Sequence, residues 1–389
     1  MSVKSANRNP WYARFYVLLF IWVGAGIFTG WKQYSLSDVN SHINNFQIFR
    51  ASFGHFVQGM HLYPLYPKEY FDLYLYGPAF AILMAPFAYL PLGWSVVVWN
   101  ALNAGMLFWA VWNLPLVQKQ RAWILWIILN STITALLNTQ FHALCVAMIL
   151  WSYILMQRGK LGWSALLIAL GVFIKFYGIV GLAFFFFTKE RFRYAAYLLF
   201  WFVAVFLFPF LFGGWDYTWQ CYHEWMEVLS HKNNLNVDIR NLRTDVCVMG
   251  MFRRITGDGT LSNMWFLIPS LLLSAWVYFQ PKKWFHVDFQ LRLMALVLIY
   301  LMLASTGTES PTLIMAFPGV GLWFVLGEKS RGRWILFVIT LLISSFSPTD
   351  LFPRFLREAY VNRYALMILP LFVVWLSLLW DLRKPLQED

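Results

Sequence analysis

Two residues combine a reactive type with a setting that invites chemistry: Asp38 and Lys175. Asp38 follows the first hydrophobic segment, at about 15–31, and heads the wet stretch SDVNSHINNFQIF. Acids at the mouth of a membrane helix are few, and any reaction on that face must draw on them. Lys175 sits inside GVFIKFYGI, between two apolar runs. An ionisable side chain at such depth is costly enough to suggest function. Each residue also has a plainer reading. Asp is a favoured helix N-cap, and Lys can snorkel to an interface. Gln140 and His142 share a short turn with hydrogen-bonding capacity, and Glu309 lies at the end of a later span in STGTESPTL.

The elements that position these residues must be membrane helices. The chain has 389 residues, of which 60% are hydrophobic, 20% aromatic and only 12% charged, against about 25% charged in a soluble domain. Apolar stretches of the length that crosses a bilayer recur from end to end, so the class is an all-α polytopic membrane protein. The formal charge of +12 gathers in short polar breaks such as Arg158/Lys160, Lys189/Arg191/Arg193 and Arg383/Lys384. That is the positive-inside pattern; the excess reports orientation and gives no reason to invoke a nucleic acid. No cleavable signal is evident in the N-terminal stretch. Among the cysteines, Cys145 reads as packing, while Cys221 and Cys247 share an outer loop and can pair in an oxidising compartment.

Charge counting places both termini in the cytoplasm and predicts about twelve transmembrane helices in one integral membrane domain, 1–389. A helical module at 14–212 contains the first span, an outer loop at 32–92, and spans near 94–115, 122–137, 140–156, 161–175, 176–188 and 194–212. A second outer loop covers 213–262, and the last helices occupy 263–380. The apolar but proline-broken stretch 78–92 is expected to be interfacial or partly inserted. Phe46, Phe49, Phe53 and Phe56 fall at helical spacing, which predicts an amphipathic helix lying on the bilayer. The short spans of 122–188 would put the junctions at Asn138–His142 and Lys175–Gly178 at membrane depth, tolerated only beside a watery, protein-lined cavity.

Several segments carry a resemblance. Asp38 soon after span one, then GMHLYPLYP, then YLYGPAFAILMAPFAYLP resembles the first loop of the polyprenyl-phosphate-dependent GT-C glycosyltransferases, in particular glycosyltransferase family 87. LLNTQFHALCVAMILWSYILMQRGKLGWSALLIALGVFIKFYGIVGLAFFFFTKERFR, with NLNVDIRNLRTDVCVMGMFRRITG and STGTESPTLIMAFP further on, is similar to that family's later pattern. The resemblance implies an inverting transfer, on the outer face of a cytoplasmic membrane, from a polyprenyl-phosphate sugar to a hydroxyl of a glycan or glycolipid. Mannose is the first sugar it suggests, another hexose or a pentose the next. By the same resemblance Asp38 is the general base that takes the acceptor proton. Lys175 is the cation that meets the leaving phosphate, and His231, Lys232, Arg240 and Arg243 of the second loop are further phosphate-binding candidates, since an arginine fork suits phosphate oxygens. Arg253 and Arg254 add to the basic density there. Tyr76, Gln140, His142 and Glu309 are expected to touch substrate, although the histidine often found near the last position in that family is missing here.

A Walker loop, a dinucleotide glycine fingerprint and zinc-type Cys/His spacing are not found in the sequence. No Asp-x-Asp pair lies in the first loop, so neither a metal nor a cofactor is expected beyond the lipid-linked donor itself. Two other classes compete: a polyprenyl-lipid flippase, which would show inverted repeats and mid-membrane ionisable residues, and a non-catalytic assembly subunit, which would tolerate loss of Asp38 and Lys175.

Overall fold

The computed structural model describes residues 10–36 and 38–385. The basic N-terminal residues Lys4 and Arg8 lie outside the described residues, as do the side chains of Val39 and Asn40. Helices and turns account for the described chain, with no strand among those residues. The principal elements are α1 (Phe15–Tyr34), α2 (Asn44–Val57), α3 (Leu92–Trp112), α4 (Gln118–Leu137), α5 (His142–Gln157), α6 (Leu161–Lys175), α7 (Arg191–Leu207), α8 (Trp215–Asn236), α9 (Val287–Ala304), α10 (Phe317–Leu326) and α11 (Ile368–Arg383). Five helical runs are long and apolar enough to cross a membrane: Phe15–Tyr34, Leu92–Trp112, Leu161–Phe187, Arg191–Gly213 and Val287–Ala304. Other apolar helices, such as His142–Gln157 and Ser310–Leu326, are shorter. The architecture is therefore all-helical and membrane-spanning, and the twelve expected spans include several of these shorter helices.

α1 and α3 pack with almost no side chain between them. A Cβ on Gly26 would stand 2.8 Å from Ala101 Cα, and one on Gly30 2.8 Å from Val97 Cα. Small residues four apart let helix backbones meet in lipid, where packing replaces the hydrophobic drive.

The run Leu161–Phe187 is not one straight rod. Residues seven apart in a straight helix lie about 10 Å apart along its axis. Yet a Cβ on Gly171 would stand 2.8 Å from Gly178 Cα, and one on Gly181 2.7 Å from the Ile168 side chain. Those two pairings share one centre, so α6 and the 3₁₀ arm Phe176–Phe187 run antiparallel and the chain turns back at Lys175. Lys175 itself is extended (φ −155°, ψ 95°). The break falls where the sequence places the junction of two short spans.

One expectation about the first loop is corrected. The phenylalanine stripe of α2 does not face lipid: Phe46, Phe49 and Phe56 are at most 1% exposed. Phe49 meets Phe80 at 5.4 Å and Trp99 at 5.7 Å, and Phe56 meets Tyr217 at 5.3 Å. The stretch 78–92 divides. Its helix Pro78–Leu83 is buried in protein through Ile82, whereas Leu83, Pro86, Tyr89 and Leu90 are exposed. Cys145, Cys221 and Cys247 are all buried free thiols, and Cys247 Sγ donates to Asp245 at 3.1 Å, so the Cys221–Cys247 bridge is not formed.

Candidate active site

The turn at Lys175 is held from several directions. Gly77 of the first loop donates its N–H to the Ile174 carbonyl at 3.1 Å. A Cβ on Gly77 would fall 2.0 Å from Phe173 O and 3.0 Å from the Trp225 ring, so only glycine lets the loop dock there. Trp225, on α8, stacks on Phe176 with ring centroids 4.9 Å apart and donates to the Leu75 carbonyl at 3.3 Å. Gly77→Ala is expected to force the loop off the turn and to cost about 1–3 kcal/mol, in the range of other overpacked sites. A lowered melting temperature in detergent checks this; an unchanged one contradicts it.

Lys175 Nζ donates to His142 Nε2 at 2.8 Å and lies 5.1 Å from the ring centres of both Tyr76 and Tyr177. An ammonium has no acceptor capacity, so His142 accepts at Nε2 and carries its proton at Nδ1, an atom that is buried with no partner among the described residues. Two aromatic faces attract the cation without neutralising it, and no carboxylate of the described residues is ion-paired with it. Tyr177 continues the arrangement, its hydroxyl 3.2 Å from Ser305 Oγ. A few residues on, the Glu309 carboxyl lies within electrostatic reach of Lys175, Lys232 and Asp72. Burial pushes that carboxyl above the ordinary glutamate value, and the Lys175 ammonium pulls it part of the way back.

The other half of the site is the turn between α4 and α5, which carries Gln140 and His142. Thr139 there has φ +47°, an unusual value for a β-branched residue, and the surroundings enforce it. Trp99 Nε1 donates to Thr139 O at 3.1 Å and Phe46 N to its hydroxyl at 3.3 Å. Asn100 donates to Leu136 O and Asn45 to Asn138 O, both at 2.9 Å, and Gln33 donates to Leu137 O. Gln33 precedes Asp38 in the chain and Asn45 follows it. The segment bearing Asp38 is thus tied on both sides to the turn that bears His142. Asp38 itself is exposed. It stands just before the short helix Val39–His42, whose His42 N–H donates to Asp38 O at 3.3 Å. The longer amphipathic helix, α2, starts later, with Ile43 at its cap position.

The second-loop candidates divide. Lys232 of α8 pairs with Asp72 at 3.2 Å, and both lie within electrostatic reach of Glu309. Arg243 is exposed, within electrostatic reach of Glu309, and His231 is exposed on α8. Arg240 pairs instead with Asp238 at 2.7 Å, which draws that carboxyl down to about 2. It borders a separate cavity of about 330 Å³ with Arg254 and Arg363. Arg253 is buried against Asp245 at 2.8 Å, and Arg254 donates to the carbonyls of Asn362, Asn241 and Thr244. These two arginines shape the loop. Asp245 N donates to Thr306 O at 3.0 Å and Val246 N to Thr308 O at 2.9 Å, so these backbone bonds fasten the segment to the turn carrying Glu309.

Nothing in the sequence alone singles out Tyr177, Ser305, Asp72 or Asp245. Tyr177 lies in the IKFYG segment, but only the fold shows that it faces Lys175. A cavity of about 730 Å³ lined by Asp288, Arg292 and Asp381 adjoins the opposite end of α9 from Ser305. An 18-residue helix spans about 27 Å, so that cavity is remote from Lys175.

No curated protein matches the chain. The profile of glycosyltransferase family 87 matches residues 74–306, more than half of the 389. The match includes Tyr76, Gln140, His142, Lys175, His231, Lys232, Arg240 and Arg243, while Asp38 and Glu309 fall outside it. An all-helical chain with several helices long and apolar enough to cross a membrane, matched over more than half of its length, belongs to glycosyltransferase family 87.

Proposed function

We propose that this glycosyltransferase moves a sugar from a polyprenyl-phosphate donor to a hydroxyl of a glycan or glycolipid, at the membrane face where Lys175 sits. One observation supports the reading above others: the Lys175 ammonium is held by two tyrosine rings and His142, beside a turn tied to the Asp38 segment. In a single displacement, the acceptor oxygen attacks the anomeric carbon and its proton passes to the Asp38 carboxylate. The bond from that carbon to the phosphate oxygen breaks, and the phosphate leaves with one more negative charge. Lys175 is placed to meet that charge, with Arg243 as a further donor. Lys232 takes part through Asp72. Tyr76, Gln140 and Glu309 bound the space for the sugar. Attack opposite the leaving group inverts the anomeric centre. No metal is needed in this scheme, because the leaving group is a monophosphate met by fixed cations. Both termini lie on the cytoplasmic side of an inner membrane in this reading.

The test is transfer by the purified protein in nanodiscs, offered polyprenyl-phosphate mannose, other hexoses and pentoses with host glycolipids, products being read by mass spectrometry. Product from a polyprenyl-phosphate sugar supports the reading. Product only from a nucleotide sugar, or lipid movement across liposomes without transfer, overturns it.

Glu309 makes the donor's affinity depend on pH. Its raised value means that it takes up a proton at a higher pH than an ordinary glutamate. As pH falls through that value the site loses a negative charge near Lys175. The donor, a phosphodiester, keeps its own charge throughout. Its KM is therefore expected to fall as pH is lowered, and Glu309→Gln is expected to abolish that trend. A trend that persists in the variant would contradict this assignment.

A further inference from the structure

A second lipid-binding feature lies at the other end of α6, toward its start and that of α7. There the two helices enclose a groove of about 700 Å³. Its walls are aromatic, from Trp163, Tyr197 and Phe200, and its lining is largely apolar. Gly162 opens the furrow: a Cβ there would meet the Tyr197 ring at 3.6 Å, so any larger side chain would enter the groove. Trp163 is 62% exposed, which marks the groove as open to the side rather than to the protein interior.

One end of this groove is cationic. Lys160 is exposed there, with no acidic partner among the described residues. Arg193 lies 5.7 Å from the Tyr197 ring centre and bonds Glu190 in an exposed pair at 2.8 Å. Exposed pairs of this kind are weak and readily exchanged. α6 has 15 residues, so about 22 Å separates this end from Lys175. An apolar furrow that opens onto lipid and ends in two cations is complementary to an anionic amphiphile and not to a zwitterionic one.

We propose that this groove binds one anionic glycerophospholipid, its acyl chain along Gly162 and its phosphodiester between Lys160 and Arg193. The site is separate from the transfer site and stands whether or not the transfer reading does. The test is native mass spectrometry of the purified protein from nanodiscs of equal phosphatidylglycerol and phosphatidylcholine. Wild type is expected to retain one phosphatidylglycerol in at least tenfold preference. Gly162→Leu, which places a better helix former in α6, and Lys160→Glu are each expected to bring retention down to the bulk ratio. If Gly162→Leu does not fold, Lys160→Glu alone carries the comparison. Equal retention of the two lipids by wild type overturns the proposal, as does undiminished preference in Lys160→Glu. Displacement of the lipid by millimolar glycerol phosphate would also overturn it, because a free phosphate would then suffice.

Discussion

Asp38→Asn is expected to lower kcat by about 10²–10⁴-fold, the usual worth of a positioned general base, while leaving the donor's Kd nearly unchanged. The amide keeps the size of the carboxyl but cannot accept the acceptor's proton. Asp38 is exposed in the turn between α1 and the helix Val39–His42, so the exchange disturbs little packing. It also keeps capping ability, since Asn caps helices about as well as Asp. The two readings of Asp38 thereby separate. A residue that only caps the short helix Val39–His42 would leave turnover intact on replacement by Asn. Single-turnover transfer at saturating donor, with a donor-binding isotherm on the same preparation, distinguishes them. A kcat within twofold of wild type would return Asp38 to a structural role and move the search for the base to Glu309.

Lys175→Met is expected to cost about 10²–10³-fold in kcat, comparable with removing one fixed stabiliser of transition-state charge, and to weaken donor binding as well. Methionine retains an unbranched apolar stem between Tyr76 and Tyr177 but brings no charge. The loss should be larger in kcat than in KM, because the phosphate gains its additional charge only as the bond breaks. Lys175→Arg should not restore activity fully: the planar guanidinium does not fit a site built around a compact ammonium between two rings. Weakened donor binding from Lys175→Met with kcat unchanged would indicate uniform binding of the phosphate in place of transition-state stabilisation. An unaffected enzyme would make Lys175 a snorkelling residue.

The features most legible in the sequence are those that lipid makes expensive. Lys175 stands out because apolar residues flank it on both sides, and the chain does turn back at that residue. The ends of α1, α3, α6 and α9 follow from apolar length and basic breaks. The amphipathic spacing of Phe46, Phe49 and Phe56 correctly indicates a helix with one apolar face. Spacing alone does not say what covers such a face, and here it is Phe80, Trp99 and Tyr217. Contacts between distant segments leave the weakest trace. Tyr177 with Ser305, Lys232 with Asp72, and Asp245 with Arg253 each join residues whose pairing nothing in the sequence indicates. The tie between Gln33, Asn45 and the turn 137–138 is of the same kind, and it relates Asp38 to His142. Arg240 shows the reverse case: basic density suggests a phosphate ligand, but Asp238 two residues away already claims the guanidinium.

The anomeric configuration of the product tests the central claim most directly. Purified protein would be supplied with a polyprenyl-phosphate sugar of defined configuration, and the new glycosidic bond read by NMR. Direct attack by a hydroxyl deprotonated by Asp38, with the phosphate leaving toward Lys175, requires inversion at the anomeric carbon. Retention would mean two displacements through an enzyme-bound sugar, and would contradict Asp38 as general base and Lys175 as the cation that meets the leaving phosphate.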